Sequence, residues 1–507
     1  MTLEKVSRFN LIDEQWIPVA GVGNVSLKQI FSDSSLTALG GNPVQKISVF
    51  KLLLAIAQSA CTPKDEAEWE ELGCEGMKKK VLAYLEHYHD CFFLYGEKPF
   101  LQMPEIEKAA KTSFGSLQMQ VATGNTSVVT QIQAEKKLSD AEKAMLVLNL
   151  MGFALGGKKV DNSVVLTAGY TQKSNAKGKP ATGKPGPAVG FMGLLHSFFF
   201  YKNIIQSVYN NLFTEEQIMK IKIYSGGVGT APWICMPKGE DDDIAKKLKQ
   251  TYMGRLVPVN RFVLLAEDGV HYSEGIFYPG YAENVVDASV SVDFAAKPKP
   301  KVLWVDPERK PWRQITSLLS FLNSEQSSGF VCYQLKELCE RCKKTDSFSV
   351  WSGGVKISNN AGEQFLKGND DFVESEVQLS SDIFGSTFFE NLSLQMGELE
   401  IKKNILYGCV MKYFSTLLTE GKNFAEQATG LYWQLAESSF QQLVNACECP
   451  EGEDVEKRLE PMIKKFNGYV LQIYNQYCPN QTARQLESWA KNKPFSNENK
   501  KISKEEN

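Results

Sequence analysis

Two groups of side chains in this sequence have types and spacings that could bind a metal ion. The first is a Cys-x-x-Cys pair, Cys339 and Cys342, with Cys332 upstream, and thiolates at such spacing are zinc ligands. No second pair follows at zinc-finger spacing, the surrounding sequence is typical of helix, and the four histidines (His87, His89, His196 and His271) are scattered. The pattern favours half-buried helix cysteines, and we expect no metal site.

The second group is acidic. Asp241, Asp242 and Asp243 follow Glu240 and could coordinate Mg²⁺. Acidic residues also favour the first turn of a helix, so an exposed acidic loop before a helix from Ile244 is the preferred interpretation. The sequence has no phosphate-binding Gly-x-x-x-x-Gly-Lys-Ser/Thr loop, no His-Glu-x-x-His and no Gly-x-Ser-x-Gly. We therefore expect no catalytic residue and no cofactor, and the sequence predicts recognition without chemistry.

A segment rich in lysine and glycine is the strongest candidate for binding a polyanion. Residues 172–187 contain four lysines, three prolines and no acidic residue, which predicts a mobile loop, while the whole chain carries a net charge of only -3. Lysines on flexible backbone can follow a phosphate chain and release counterions, although a solvated surface insertion has the same composition. The candidate residues of this loop are Gly169, Lys173, Lys177, Lys179 and Lys184.

Composition indicates a large intracellular protein. A chain of 507 residues exceeds what one core usually serves, and 43% hydrophobic residues suffice for two or three domains. No apolar run of membrane-spanning length is evident, and Met1 to Arg8 lead into the first predicted strand without a secretory segment. Eleven cysteines, an odd number, indicate reduced thiols. We expect a cytoplasmic protein with no membrane partner.

Hydrophobic periodicity predicts the elements that must position these segments. An edge hairpin is expected at Phe9–Val19, followed by a helix at 44–61, a helix started by the proline and acidic residues of 63–66, and a helix at 141–151 capped by Ser139 or Asp140. Residues 190–209 are interpreted as a Leu-rich helix whose aromatic side chains pack in a core: Phe191, Phe198, Phe199, Phe200 and Tyr201. Sheet is predicted between Lys222 and Trp304, with a hairpin turn at Glu267-Asp268-Gly269.

The last part of the chain has a different pattern. Helical periodicity is sustained over 398–420, 425–446, 455–477 and 482–490, which predicts a four-helix bundle. The predicted class is therefore α+β: a large mixed α/β amino-terminal domain (1–380), an all-α four-helix bundle (381–492) and a disordered tail (493–507).

Short sequence blocks then identify a family. The segment Asn10-Leu11-Ile12-Asp13-x-x-Trp16-Ile17-Pro18-Val19 resembles the opening of the CasA family, the large subunit of the type I-E CRISPR surveillance complex Cascade. Further blocks recur in the family's order: Lys98-Pro99-Phe100-Leu101-Gln102, the run from Gly124 to Gln131, Ala231-Pro232-Trp233, and Gly353-Gly354 followed by Asn359 to Gly362.

The resemblance implies a non-catalytic subunit that inspects foreign double-stranded DNA for the motif adjacent to the target (the protospacer-adjacent motif), helps open the duplex, and recruits a helicase-nuclease. Its other implied partners are the crRNA-containing Cascade subunits: the backbone, the small subunit and the endoribonuclease-end assembly. The implied DNA contacts are a first loop, with Asn125, Val128, Val129 and Thr130, and a duplex wedge, with Asn359, Asn360, Ala361 and Gly362. Bundle lysines Lys402, Lys403, Lys464 and Lys465 are candidates for contacts with the displaced strand or the small subunits.

The chain departs from the family's pattern at the proposed DNA contacts. Val128-Val129-Thr130 stands where the family has an aromatic-Val-Asn tripeptide, and Ala361 stands where the wedge has glutamine. The family's lysine contact aligns with Gly280-Tyr281-Ala282-Glu283, so Lys297, Lys299 and Lys301 are an alternative source of charge. Two other functions stay open: a scaffold subunit that binds only proteins, and an enzyme with an unrecognised site.

Overall fold

The computed structural model of the protein describes residues 6–117, 119, 137–155, 193–239, 242–278, 287–322, 329–360, 363–384, 387–449 and 453–496. The chain divides into two units. The first unit comprises Met1–Pro311, Ser324–Cys342 and Phe348–Glu376, and the second comprises Trp312–Asn323, Lys343–Ser347 and Val377–Asn507. From residue 497 onward, the predicted tail lies outside the described residues.

Short antiparallel sheets and helices alternate along the first unit. The strands are β1 (Arg8–Asn10), β2 (Ile17–Val19), β3 (Gly23–Val25), β4 (Phe93–Tyr95), β5 (Lys111–Thr112), β6 (His196–Phe200), β7 (Arg261–Leu265), β8 (Val270–Glu274), β9 (Val292–Asp293), β10 (Lys301–Val302), β11 (Ser347–Val355), β12 (Ser358–Asn360), β13 (Glu363–Phe365) and β14 (Phe372–Ser380). The sheets have the orders β1-β4, β2-β3, β5-β8-β7, β10-β9, β14-β11-β6 and β12-β13.

The helices are longest at the two ends of the chain. They are α1 (Leu27–Ser32), α2 (Pro43–Cys61), α3 (Glu66–His87), α4 (Asp140–Gly152), α5 (Ile204–Asn210), α6 (Glu215–Lys220), α7 (Asp243–Leu248), α8 (Met253–Leu256), α9 (Ile315–Leu318), α10 (Tyr333–Lys336), α11 (Cys339–Cys342), α12 (Phe388–Thr416), α13 (Lys422–Ser438), α14 (Phe440–Cys447), α15 (Val455–Tyr477) and α16 (Ala483–Lys491). The predicted α+β class, with helices closing the chain, is confirmed.

Helix α2 is the central helix of the first unit. Its first turn is capped by Asn42, whose side chain accepts from the Gln45 backbone amide at 3.0 Å, while the Gln45 side chain accepts from the Asn42 backbone amide at 3.0 Å. Pro43 occupies the first helical position. By length and composition α2 could also cross a membrane, but 78% of its apolar stretch is buried inside the folded chain. The predicted helix at 44–61 is confirmed as a core helix.

The other two predicted amino-terminal helices are confirmed, and of the two caps predicted for α4 the structure has Ser139. Asp65 caps α3 through a bond from the Glu68 amide, and Ser139 caps α4 through a capping box with Glu142. Asp242 likewise caps α7 by accepting from the Ala245 amide at 2.7 Å, which confirms the acidic helix start and corrects the predicted first residue from Ile244 to Asp243.

The opening strands pair differently from the sequence prediction. β1 pairs with β4, and β2 pairs with β3. The chain turns directly after β1, because the amides of Asp13 and Glu14 both donate to the Asn10 carbonyl, at 3.1 and 2.9 Å. The predicted hairpin at Phe9–Val19 is therefore wrong. A β-ladder joins residues that are distant in sequence, and alternation alone does not identify the partner strand.

The aromatic segment after Gly193 is a strand where the sequence predicted a helix. β6 pairs with β11, Phe199 facing Val350 and Phe198 facing Trp351, and only α5 is helical in this region. Core packing is nevertheless confirmed for Phe198 and Phe199, which are fully buried. The ladder with β11 satisfies the backbone of β6, so tertiary pairing overrides the local pattern.

The predicted β7–β8 hairpin is confirmed, and Gln102 attaches it to the amino-terminal sheet. The side-chain oxygen of Gln102 accepts from the Leu265 backbone amide at 2.8 Å, and the side-chain nitrogen donates to the Leu94 carbonyl at 2.7 Å. Gln102 is 3% exposed, so both bonds form away from water. One side chain thus satisfies backbone groups of two sheets that no ladder joins.

A buried ion pair lies at the centre of the first unit. Lys51 of α2 pairs with Asp287, both side chains being 2% exposed, and the Lys51 ammonium also donates to the Arg255 carbonyl at 3.2 Å. The other Asp287 carboxylate oxygen accepts from the Ser289 amide and hydroxyl at 2.9 and 2.6 Å, and the Ser289 hydroxyl lies 2.8 Å from His196 Nδ1. This chain of contacts joins α2 to the segment after Asp287 and to the start of β6.

Opposing effects of burial and of the partner's charge set the pKa values of this pair. Burial alone would raise the pKa of Asp287, but Lys51, His196 and the hydrogen bonds outweigh burial and hold the pKa below its ordinary value. Burial lowers the pKa of Lys51, against the attraction of Asp287. The stability that the Asp287 carboxylate contributes is therefore present above the pKa of an unfolded aspartate and is lost as the pH falls through the folded value.

The second unit is a helical bundle. α12 packs on α13, α15 and α16, and its buried Leu406, Val410 and Tyr413 form the centre of the interface. The bounds of α15 match the prediction, and α16 differs by one residue. The predicted single helix at 425–446 is wrong, because the chain breaks at Ser439 into α13 and α14.

An earlier segment of the chain also belongs to this bundle. Trp312 packs on Phe440 and Trp433, with ring centroids 4.6 and 5.8 Å apart. The Arg313 guanidinium stacks over the Trp433 ring at 3.7 Å and pairs with Glu400 at 3.5 Å. Residues 312–323 therefore complete the surface of helices that follow them by about a hundred positions.

The buried pair predicts a non-additive response to mutation. Lys51→Met leaves an uncompensated carboxylate in the core and is expected to lower the free energy of unfolding by about 3–5 kcal/mol. Adding Asp287→Asn removes that charge while keeping an acceptor for Ser289, so the double variant is expected to be more stable than Lys51→Met alone. Urea unfolding of the wild type, both single variants and the double variant measures this, and a double variant no more stable than Lys51→Met, or losses that simply add, would contradict a charge-compensation role.

Candidate nucleic-acid interface

The duplex wedge predicted from the sequence lies on a short hairpin. β12 and β13 pair with Asn359 opposite Gln364 and Asn360 opposite Glu363, while Ala361 and Gly362 lie outside the described residues. The foot of the hairpin is closed by the Lys356 amide, which donates to the Asp371 carbonyl at 2.8 Å. The structure thus places Asn359 and Asn360 at the end of a two-stranded hairpin.

A buried carboxylate orders the returning side of this hairpin. Asp371 is 8% exposed, and its side chain accepts from the amides of Lys367 and Gly368 at 2.6 and 3.4 Å. Charge-assisted bonds to backbone amides are stronger than neutral ones, so the turn before β14 is held firmly. The hairpin therefore stands on a fixed base.

Glycines admit close backbone contact where β11 leads into the hairpin. A Cβ at Gly354 would lie 2.6 Å from Val305 Cγ2 and 2.7 Å from the Leu194 carbonyl oxygen. Only glycine fits so close to another backbone. The Gly353-Gly354 block therefore brings the wedge hairpin against residues 194 and 305, which are distant in sequence.

The first loop enters beside the same hairpin. Its candidate residues, Asn125 and Val128 to Thr130, lie outside the described residues. Just before them, the Met119 carbonyl accepts from the Leu366 amide at 3.2 Å, and Leu366 follows β13 directly. The chain thus departs into the first loop from the returning side of the wedge hairpin.

The Gly/Lys-rich loop returns to the same place. Gly169, Lys173, Lys177, Lys179 and Lys184 lie outside the described residues, which resume at Gly193. Gly193 accepts from the Val305 amide at 2.9 Å, and a Cβ on it would lie 3.3 Å from the Trp304 ring. The loop therefore re-enters the fold beside Trp304, next to the residues that contact Gly354.

A basic hairpin, β9–β10, borders this region. Lys297, Lys299 and Lys301 are exposed on it, and Lys356 at the foot of the wedge reaches Asp306 with 3.8 Å between charged atoms. The hairpin rests on a small core of Leu194, Val290, Val292 and Val302. The alternative lysines proposed from the sequence thus lie along the chain next to the wedge contacts, whereas Gly280 to Glu283 lie outside the described residues.

Sequence reasoning missed Trp304, which is 51% exposed at the centre of this arrangement. No motif marks it, and the only available signal was a tryptophan following the Lys-Pro-Lys-Pro-Lys run. The bundle lysines were partly misplaced. Lys402 is 6% exposed rather than on the surface, and its ammonium pairs with Glu398 at 2.9 Å. Lys403 and Lys464 pair with Glu400 and Glu460.

The cysteine group does not assemble a metal centre in the described part of the chain. Cys339 and Cys342 occupy α11, and burial raises the pKa of Cys342 above its ordinary value and that of Cys332 to about 12. Zinc binds thiolates, and the raised pKa of the Cys332 and Cys342 thiols favours their protonated form. Across the described residues, no three histidine, cysteine or acidic side chains are placed to hold a metal.

Comparisons with known proteins agree with the resemblance. The profile of the family described as CRISPR-associated protein Cse1 matches residues 10–473. A curated relative from Thermus thermophilus, CRISPR-associated protein CasA/Cse1, is 28% identical over 169 residues, which is 30% of this chain and 33% of the relative. This chain therefore aligns with about a third of that relative's length.

Two solved structures show the same fold. The crystal structure of Thermobifida fusca Cse1 covers 96% of each chain with a TM-score of 0.75 at 17% identity. A chain of a CRISPR RNA-guided surveillance complex covers 96% of this chain and 99% of its own, with a TM-score of 0.63 at 14% identity. At such identities the likeness concerns the fold.

The glycine contact at the wedge foot gives a stability prediction with an internal control. Gly354→Ala forces a methyl group against the Leu194 carbonyl and is expected to cost about 1–3 kcal/mol of unfolding free energy. Gly368→Ala, at the same hairpin, meets nothing within 4 Å at an extended φ of -176° and is expected to be neutral or slightly stabilising. Denaturant unfolding compares the two, and equal stability would refute the close approach at Gly354.

Proposed function

Because the chain belongs to the Cse1 family of CRISPR-associated proteins, the large subunits of type I-E CRISPR complexes, we propose that it recognises the protospacer-adjacent motif in foreign double-stranded DNA and helps open the duplex. In such complexes base pairing with the guide reads the target, and the protein reads only the short adjacent motif. The protein acts by recognition, without a catalytic step, in antiviral defence.

The convergence of three separate segments on the wedge foot supports this proposal. The first loop departs at Met119 beside Leu366, the Gly/Lys-rich loop returns at Gly193 beside Val305, and Gly354 packs on Val305. A site that reads a motif and then separates a base pair needs all three functions near one point: readout, phosphate contact and insertion. The fold supplies their bases from one ordered platform.

Each segment has a distinct physical task. Asn125, Val128, Val129 and Thr130 contact the motif from the minor groove, where donor and acceptor patterns are degenerate and recognition is permissive. Lys173, Lys177, Lys179 and Lys184 follow the phosphates. Asn359, Asn360, Ala361 and Gly362 enter the duplex, and protein contacts offset the few kcal/mol that unstacking a base step costs.

The partners follow from this role. The amino-terminal domain (1–380) docks on the crRNA-containing Cascade subunits, which are the backbone, the small subunit and the endoribonuclease-end assembly. The bundle (381–492) contacts the small subunits and the displaced strand, and the subunit recruits a helicase-nuclease. We place the complex in the cytoplasm, with no membrane partner.

Two other functions are separable by experiment. A scaffold subunit that binds only proteins would leave discrimination between flanking motifs to the rest of the complex. An enzyme with an unrecognised site would hydrolyse nucleotide or nick DNA when the purified chain is supplied with Mg²⁺. Neither is favoured by a specific contact in the described residues.

Motif recognition is tested by omitting the subunit. Complexes assembled with and without it are offered duplexes that share one target and differ in the flanking bases. We expect strong flank-dependent capture with the subunit and uniform, weaker capture without it, measured by electrophoretic mobility shift. Capture that is equally strong and equally flank-dependent in both complexes would refute the proposal.

The Gly/Lys-rich loop is tested by salt dependence. Replacing Lys173, Lys177, Lys179 and Lys184 with alanine removes up to four phosphate contacts, and each contact contributes about 0.9 to the slope of log K against log salt. The slope is expected to flatten by up to about 3–4. A matched variant replaces four exposed lysines on helices of the same unit, Lys28, Lys79, Lys80 and Lys220, and should keep the slope. An unchanged slope in the loop variant would remove this loop from the interface.

A further inference from the structure

We propose that Trp304 and Lys301 form a binding site for an unpaired nucleotide of the opened DNA, with the indole stacking on the base and the ammonium contacting the neighbouring phosphate. This inference rests on the proposed opening of the duplex at the wedge hairpin. The site would bind the base that becomes unpaired when the duplex opens.

The exposure of Trp304 sets it apart from the other tryptophans. All eight tryptophans of the chain are described, and Trp304 is the one exposed, at 51%, whereas Trp16, Trp69, Trp233, Trp312 and Trp351 are 7% exposed or less. Large aromatic surface is normally buried, and an exposed ring beside basic residues is the composition of a base-stacking platform.

The backbone holds this ring in place. Val305, which follows it, donates to the Gly193 carbonyl at 2.9 Å, and Leu303, which precedes it, accepts from the Leu195 amide at 2.9 Å. Gly193 packs against the ring itself, since a Cβ there would lie 3.3 and 3.4 Å from two ring carbons. A ring positioned in this way loses little conformational entropy when a base stacks on it.

The surrounding charge suits a phosphodiester chain. Between Val292 and Lys310 the chain carries five basic residues (Lys297, Lys299, Lys301, Arg309 and Lys310) and three acidic ones (Asp293, Asp306 and Glu308), although the whole chain is net acidic. Lys301 is exposed on β10, three residues before Trp304 and so about 10 Å away along extended backbone. With its long side chain, Lys301 can reach the phosphate of a nucleotide adjacent to the stacked base.

The position of Trp304 identifies the occupant as DNA released at the wedge. Its neighbour Val305 contacts Gly354, and Asp306 lies 3.8 Å from the Lys356 ammonium, so the platform adjoins the segment that leads from β11 into the wedge hairpin. A base expelled when the hairpin enters the duplex emerges at this foot. A guide RNA contact would not require proximity to the inserting element.

The test places 2-aminopurine, a fluorescent base that stacking quenches, at each of the first three target positions on either strand. Duplexes are bound to the complete RNA-guided complex containing this subunit. We compare wild type with Trp304→Leu, which keeps an apolar side chain but cannot stack, and Trp304→Phe, which retains a ring. The Lys301→Ala variant tests the phosphate contact separately through the salt dependence of capture.

We expect one position to be dim in wild type and in Trp304→Phe and several-fold brighter in Trp304→Leu, with capture of the duplex weakened roughly tenfold by the leucine. Lys301→Ala is expected to flatten the salt slope by about one. The matched control, Met219→Ala with Lys220→Ala, truncates a 60% exposed apolar side chain and a neighbouring exposed lysine on α6 and should change neither readout.

Equal fluorescence at every position in wild type and Trp304→Leu would overturn the inference, as would a leucine variant whose defect lies in retaining guide RNA. A variant whose hairpin tip, residues 359–362, is replaced by a two-residue turn distinguishes a failure of the nucleotide site from a failure of the proposed function. If the shortened hairpin abolishes opening and Trp304→Leu has no effect, only the nucleotide site is refuted. If the shortened hairpin opens DNA normally, the proposed function and the nucleotide site are both refuted.

Discussion

The ion pair between Lys51 and Asp287 is the constraint on which the first unit depends. Two opposite charges can be buried only together, so the core helix α2 and the segment beginning at Asp287 must meet in one geometry. From Asp287 the contacts pass through Ser289 to His196, and the same segment continues into the β9–β10 hairpin beside Trp304. The candidate interface is therefore attached, through a few residues, to the core helix α2.

This attachment explains how segments at the surface can be held in a defined position for binding. Binding segments that must adapt to DNA gain affinity when their ends are fixed, because less conformational freedom is lost on binding. Here the fixed points are backbone contacts of the wedge foot, at Leu366, Val305 and Gly354, and the buried carboxylate of Asp371. Loops that carry binding residues on a rigid scaffold are a common arrangement in proteins.

Sequence reasoning was most successful where structure is local. The helices α2, α3 and α4 were found, α4 with its cap and α15 with its bounds, because helix-start residues and a 3.6-residue period lie within one segment. It failed where partners are distant: β1 pairs with β4 some eighty positions later, and β6 is a strand because β11 lies beside it. The candidate loops were visible from composition and resemblance, but the exposure of Trp304 and the burial of Lys402 arise only from packing.

The route of the chain through the bundle limits how this protein can be dissected or synthesised. A fragment beginning at residue 377 would contain every long helix of the bundle yet lack Trp312 and Arg313, leaving the faces of Trp433 and Phe440 uncovered. During synthesis, residues 312–323 leave the ribosome well before α13 and α14, so they cannot pack until those helices have been made. Recombinant fragments of the bundle should therefore retain residues 312–323. During translation, Trp312 stays exposed until the last quarter of the chain has been made.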